Sequence, residues 1–181
     1  LRSLVGSEMC IRDRLNIINK NGCGFDVVSG GELQKVCHVG ADPKKIIFSG
    51  VGKSNEEISL GVRNQILSFN IESESELYRI EKIASSMDMT ANIAIRFNPE
   101  IDSGGHEYIK TGRKGDKFGI SSEKLILNIS NYIYQSNNLK LVGLACHIGS
   151  QILDLKSYRL AAKNIKNLAN KVKKIVKVLD F

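Results

Sequence analysis

The chain has 181 residues, of which 42% are hydrophobic and 25% are charged, which is typical of a soluble globular protein. No apolar run approaches the roughly 18 residues that a membrane span requires, so a membrane protein is not expected. The net charge is +7, but the lysines lie mainly in helix-like stretches such as 163–178, with few aromatic residues. This distribution favours solvated helix faces over a nucleic-acid surface.

The four cysteines show neither C-x-x-C spacing nor the density of small secreted domains. Reduced thiols in a cytoplasm are the expected state.

The first fourteen residues, LRSLVGSEMCIRDR, differ in character from the rest of the chain. Their apolar stretch is too short for a signal peptide, and Leu4 to Arg14 matches the translation of a transposase-type sequencing adaptor. We therefore expect residues 1–14 to be an adaptor artefact and leave them out of the fold prediction. Because the last five residues begin a further strand, we expect residues 15–181 to be part of a longer protein.

From Gly24 onward, short apolar runs alternate with segments of helical periodicity. Ser54 and Ser73 are each followed three residues later by glutamate, which predicts two capping boxes, at Ser54–Glu57 and Ser73–Glu76. The apolar runs predict strands at 24–29, 45–49, 66–70, 91–98, 140–148 and 177–181. The helical periodicity predicts helices at 31–39, 55–63, 74–87, 122–135 and 157–174.

Strands separated by helices of this length need crossover connections, which predict a parallel sheet. No GxGxxG motif follows the first strand, and this counts against a dinucleotide-binding, doubly wound fold. We therefore predict an α/β fold, namely an incomplete (β/α)8 barrel of the TIM type.

Alternation within the strands separates large apolar side chains, which suit contact with the outer helices, from small or polar ones. In LVGLACHI, Val142 and Leu144 share the apolar face, and His147 lies opposite. The same pattern places Asp26 and Arg96 on the interior faces of their strands. We predict that Asp26, Arg96 and His147 point inward together near the carboxyl ends of the strands, where barrel active sites form.

Two other patterns are weaker. GVGKS at 50–54 imitates the end of a phosphate-binding P-loop, but Ile47 stands where that pattern requires glycine, so an ordinary turn from strand to helix is favoured. The histidines His38, His106 and His147 lie far apart in sequence, and no metal site is expected.

A long polar segment at 104–120 lies between a strand and a helix, and such loops are often functional. The residues Lys117, Phe118 and Gly119 near its end indicate an anchored return to the sheet.

The chain resembles the diaminopimelate decarboxylase family, which are pyridoxal-phosphate enzymes with an alanine-racemase-like barrel. Five stretches carry the resemblance, in the family's order and spacing. These are GFDVVSGGEL at 24–33, IIFSGVGKS at 46–54, FNIESESEL at 69–77, RFNPEIDSGGHEYIKTGRKGDKFGI at 96–120 and CHIGSQI at 146–152. The resemblance implies a barrel that binds pyridoxal 5'-phosphate at its mouth, a second β-rich domain and a homodimer.

The resemblance also implies roles for single residues. His147 would stack on the pyridine ring as the catalytic residue, Ser150 would lie near the cofactor phosphate, and Asp26 and Arg96 would line the same pocket. Lys117 would support the dimer interface more than the chemistry. The family's cofactor-carrying lysine lies in a Y-A-x-K-A-N motif upstream of GFDVVSGGEL, and no lysine from residue 20 onward sits in such a motif. We therefore expect the chain as given to lack activity.

The reaction implied is the conversion of meso-2,6-diaminopimelate to L-lysine and carbon dioxide. Decarboxylases of ornithine, arginine or carboxynorspermidine share the fold and the cofactor, and they stay open as alternatives. A non-catalytic, antizyme-inhibitor-like relative is a further alternative, although the presence of both His147 and Ser150 argues against it. The expected partners are a small amino-acid substrate and a second copy of the chain, with no nucleic acid or membrane.

Overall fold

The computed structural model describes residues 6–101, 118–149, 152, 155–172 and 178–180. Strands and helices alternate along the chain after an initial helix. The strands are β1 (Phe25–Val27), β2 (Ile46–Phe48), β3 (Ser68–Ile71), β4 (Ala91–Phe97), β5 (Leu139–Cys146) and β6 (Val178–Asp180). The helices are α1 (Gly6–Lys20), α2 (Gly30–His38), α3 (Asn55–Arg63), α4 (Glu74–Ser86), α5 (Glu123–Gln135) and α6 (Leu155–Lys171), with a short 3-10 turn at Pro43–Lys45.

The predicted strands and helices from residue 24 onward are all present, with bounds that differ by at most a few residues. Helix α1 overlaps residues 1–14 and is not among the predicted elements. No helix in the described ranges combines the length and the apolar content needed to cross a bilayer.

The six strands form a single sheet in the order β1-β2-β3-β4-β5-β6, and every neighbouring pair is parallel. A doubly wound sheet would reverse its strand order at a switch point. Here each strand instead lies beside the one that precedes it in sequence, as in a (β/α)8 barrel. The predicted barrel topology is therefore confirmed.

The hydrophobic core lies between the outer face of the sheet and the helices. On the strands, Phe48 and Phe69 are fully buried and their rings stack with centroids 6.0 Å apart. Helices α2 to α6 each contribute buried apolar side chains, among them Leu33, Ile58, Ile80, Ile126 and Ile165. This packing occupies the outer face of the strands and leaves their inner face for a site.

The predicted alternation is wrong at one position of β5. Successive residues of β4 pair with Leu141 and Gly143, which leaves Val142 as an extra residue in β5. A β-bulge of this kind interrupts the alternation, so the residues before it point to the opposite face from the one that strict alternation predicts. Leu141 therefore packs with Leu144 in the hydrophobic core cluster, whereas Val142, although also buried, does not belong to that cluster.

The two predicted capping boxes differ in outcome. At Ser54, the hydroxyl accepts from the N–H of Glu57 at 3.2 Å and the Glu57 carboxylate accepts from the N–H of Ser54 at 2.9 Å, so this box is confirmed. At Ser73, the hydroxyl accepts from the N–H of Glu76 at 3.3 Å. The Glu76 carboxylate instead accepts from Lys53 and from a different backbone N–H, so only half of this box forms.

Candidate active site

A cavity of about 340 Å³ lies at the carboxyl ends of the strands, where barrel sites are built. Its walls come from the ends of β1 to β5 and from the segment that precedes α5. The lining residues are Asp26, Val28, Ser49, Gly50, Asn70, Arg96, Phe118, Ala145, Cys146 and His147.

Three of the four site residues predicted from the sequence border this one cavity. Asp26 lies in β1, Arg96 in β4, and His147 directly after β5. The side chains of Asp26 and His147 are exposed, and that of Arg96 is largely covered. Ser150 lies outside the described residues, as does Lys117.

Arg96 is held by a carboxylate that the sequence patterns did not single out. One amino nitrogen of Arg96 donates to Oε1 of Glu72 at 2.7 Å, and the two side chains are 14% and 5% exposed. The guanidinium carbon lies 5.5 Å from the ring centroid of Phe118, which is within the range of a cation–π contact. Because Glu72 follows β3 and Arg96 stands in the adjacent strand, only the sheet order brings them together.

The return of the polar segment to the sheet is anchored as predicted. Ile120 N–H donates to the Arg96 carbonyl at 2.8 Å, and its own carbonyl accepts from Asn98 N–H at 3.0 Å. The side chain of Asn98 donates to the Phe118 carbonyl at 3.2 Å. Gly119 has a φ of +79°, and a Cβ there would lie 3.1 Å from the Arg96 carbonyl oxygen, so a side chain at this position would be strained.

The GVGKS stretch forms the turn from β2 to α3, as the favoured interpretation predicts, but its lysine has an unforeseen function. The Lys53 ammonium donates to the carbonyl of Gly50 at 2.6 Å, the carbonyl of Asn70 at 2.9 Å and Oε1 of Glu76 at 2.7 Å. Gly50 and Asn70 both line the cavity. Lys53 therefore fixes two adjacent parts of the cavity wall from behind, and its three N–H donors are all in use.

Glu57 connects the N-termini of helices α2 and α3. Its Oε1 accepts from the N–H of Gly30 at 2.7 Å, in addition to the bond with Ser54. These backbone donors, Gly30 first, hold the pKa of the Glu57 carboxyl below its ordinary value. A negatively charged carboxylate at the N-termini of α2 and α3 stabilises both helices.

The described residues contain no group of three or more histidine, cysteine, aspartate or glutamate side chains that is suited to a metal ion. His38 ends α2 and borders a separate groove beside α1. His106 lies outside the described residues.

The cavity is suited to a small organic ligand. Its volume lies within the range of small-molecule sites, and Gly50 and Ala145 leave space where larger side chains would fill it. Arg96 supplies a cation with several N–H donors, and His147 supplies a planar ring. A parallel sheet of barrel topology with such a cavity at the carboxyl ends of its strands is typical of barrel domains that bind a cofactor or a substrate.

The particular family follows from sequence comparison. The family described as "Pyridoxal-dependent decarboxylase, pyridoxal binding domain" matches residues 11–181. The chain therefore belongs to the pyridoxal-dependent decarboxylases, through their pyridoxal binding domain.

Individual relatives agree with this assignment. The chain is 46% identical over 144 residues to the diaminopimelate decarboxylase of Neisseria meningitidis serogroup B, which covers 80% of this chain and 34% of that protein. The structure of the diaminopimelate decarboxylase from Helicobacter pylori complexed with L-lysine superposes with a TM-score of 0.88 and 39% identity, covering 93% of this chain and 42% of that one. The chain thus spans about a third of the length of the curated relatives it matches.

A more distant structure shows the fold alone. The arginine decarboxylase of Paramecium bursaria Chlorella virus superposes with a TM-score of 0.78 at 22% identity, over 94% of this chain and 44% of that chain. The same barrel therefore occurs in decarboxylases with different substrate names, and the barrel by itself does not choose among them.

Proposed function

We propose that this chain forms the cofactor-binding barrel of a diaminopimelate decarboxylase, which converts meso-2,6-diaminopimelate to L-lysine and carbon dioxide with pyridoxal 5'-phosphate. One observation carries the proposal. In a chain that matches the pyridoxal binding domain from residue 11 to 181, Asp26, Arg96 and His147 border a single cavity at the carboxyl ends of the strands.

Each of the three residues has a proposed task. His147, exposed at the end of β5, stacks its imidazole on the cofactor ring. Arg96 donates hydrogen bonds to anionic oxygens, and Asp26 supplies a carboxylate to the wall of the same cavity. Ser150 is proposed to lie near the cofactor phosphate.

The cofactor supplies the central chemistry, because its ring withdraws electrons from the substrate α-carbon as carbon dioxide leaves. The barrel has to bind that ring, orient it and keep the cavity wall rigid. The buried Lys53 and the anchored return at 118–120 serve the last of these tasks.

The substrate assignment is supported by the pattern of relatives. The diaminopimelate decarboxylases share 35–46% identity with this chain, whereas the arginine decarboxylase shares 22%. Because the chain spans about a third of the curated relatives, we assign the activity to the full-length protein. We further propose that the full-length protein acts as a homodimer in the cytoplasm.

The test is a decarboxylation assay with the purified full-length gene product and added pyridoxal phosphate. Release of carbon dioxide is measured with meso-diaminopimelate, ornithine and arginine, and lysine is identified as the product of the first. We expect kcat/KM for diaminopimelate to exceed the others by at least about 100-fold. A preference for ornithine or arginine would assign a sister enzyme, and cofactor binding without any decarboxylation would support the non-catalytic alternative.

A further inference from the structure

Glu72 occupies a constrained position next to the cavity. Its backbone N–H donates to Oε2 of Glu76 at 2.9 Å, which fixes the start of its side chain directly after β3. Its carboxylate is nearly buried, and its two oxygens accept hydrogen bonds from two different parts of the chain. Oε1 accepts from Arg96 at 2.7 Å, and Oε2 accepts from the N–H of Gly119 at 3.1 Å.

The consequence for Arg96 is that its guanidinium is restrained on two sides. Glu72 binds one amino nitrogen, and the guanidinium carbon lies over the ring of Phe118, 5.5 Å from its centroid. A guanidinium has five N–H donors, and the bond to Glu72 uses one of them. The remaining N–H donors of Arg96 stand beside the cavity, because Arg96 borders it.

A flexible arginine would lose rotamer entropy each time it bound a ligand, at a cost that falls when the side chain is already ordered. Arg96 meets this condition because Glu72 orders it in advance. Glu72 also holds Gly119, so the same carboxylate sets the distance between the Arg96 guanidinium and the segment that carries Phe118.

We propose that Glu72 is a positioning residue, which presents the free edge of the Arg96 guanidinium to an anionic oxygen of the ligand in the cavity. This inference rests on the proposed function, in that pyridoxal phosphate is the ligand. Glu72 does not touch that ligand and acts through Arg96.

The alternative is that Glu72 only stabilises the fold. A double-mutant cycle separates the two, because a residue that acts through Arg96 has no effect on ligand affinity once Arg96 is gone. The variants are Glu72→Gln, Arg96→Met and the double variant in the full-length protein. Gln keeps the length of the side chain but cannot accept from both Arg96 and Gly119 with its two terminal atoms.

A matched control is Glu123→Gln, which makes the same chemical change in an exposed ion pair with Lys171 on another surface. Glu72→Asp is the second variant if Glu72→Gln fails to fold. It keeps the charge but shortens the side chain by one methylene group, so it too cannot hold both partners.

The readout is the dissociation constant of pyridoxal phosphate, titrated into each apoprotein by absorbance, together with the melting temperature of that apoprotein. We expect Glu72→Gln to weaken binding roughly tenfold, the double variant to bind no more weakly than Arg96→Met, and Glu123→Gln to match the wild type. Equal affinity of Glu72→Gln and wild type, or effects that multiply in the double variant, would overturn the inference. Failure of the wild type itself to bind would instead contradict the proposed function.

Discussion

The ammonium nitrogen of Lys53 lies 2.7 Å from Oε1 of Glu76, and the two side chains are 1% and 5% exposed. This pair joins the turn after β2 to the first turn of α4. The same ammonium binds the carbonyls of Gly50 and Asn70, which line the cavity. A buried charge pair thus supports the wall of the proposed cofactor site.

Lys53→Met should destabilise the protein strongly. The substitution leaves the Glu76 carboxylate buried without its counter-charge, and breaking a buried pair in this way costs about 3–5 kcal/mol. Chemical denaturation followed by circular dichroism measures the loss. Lys171→Met, which removes an exposed partner of Glu123, should cost less than about 1 kcal/mol. Equal losses in the two variants would show that burial of the Lys53 pair has no energetic consequence.

Gly61→Ala should also destabilise, because the helix α3 packs tightly against β3. A Cβ at Gly61 would lie 2.5 Å from Cζ of Phe69, whose side chain is fully buried. Overpacking of this kind costs about 1–3 kcal/mol.

Gly31→Ala is the matched control for that substitution. Gly31 is also helical, but a Cβ there has no neighbour within 4 Å. Alanine is favoured over glycine in helices, so stability should stay constant or rise by up to about 1 kcal/mol. If both alanine variants had the same thermal midpoint, the close contact with Phe69 would not be a real constraint.

Glu57 should make stability depend on pH. Its pKa is lowered chiefly by the backbone N–H of Gly30 and then by that of Ser54. A lowered folded-state pKa means that the stabilisation is complete above the unfolded-state pKa and is lost as the pH falls through the folded-state pKa.

Glu57→Gln should therefore reduce stability by about 1 kcal/mol at neutral pH. The difference from wild type should shrink as the pH is lowered below about 4.5, the ordinary glutamate range. Urea denaturation at a series of pH values between 7 and 3 gives this difference directly. A difference that stayed constant over the whole series would mean that the charge of Glu57 contributes nothing.

The parts of this fold that were predictable from sequence are those set by local periodicity. Alternation alone predicted that Arg96 and His147 face the inner side of the sheet, and both line the cavity. The spacing of apolar residues predicted the strands and helices from residue 24 onward. The bulge at Val142 was not predictable in this way, because an extra residue in a strand changes no composition and interrupts no apolar run.

The pairs around the cavity could not be predicted for a different reason. Ser73 and Glu76 have the spacing of a capping box, yet the Glu76 carboxylate binds Lys53, which is 23 positions away in sequence. Glu72 likewise meets Arg96 across 24 positions. Two glutamates after a strand do not by themselves predict an ion pair. The partner of each becomes evident only when the fold places a basic side chain beside it.

Cofactor titration of the full-length apoprotein tests most directly whether His147 and its neighbours form a pyridoxal phosphate site. His147→Ala removes the proposed stacking ring, whereas His38→Ala changes an exposed histidine at the end of α2 that borders a different groove. We predict that His147→Ala weakens binding by roughly 3- to 10-fold, as expected for the loss of one aromatic contact, and that His38→Ala binds like the wild type. Unchanged affinity in His147→Ala would contradict the account.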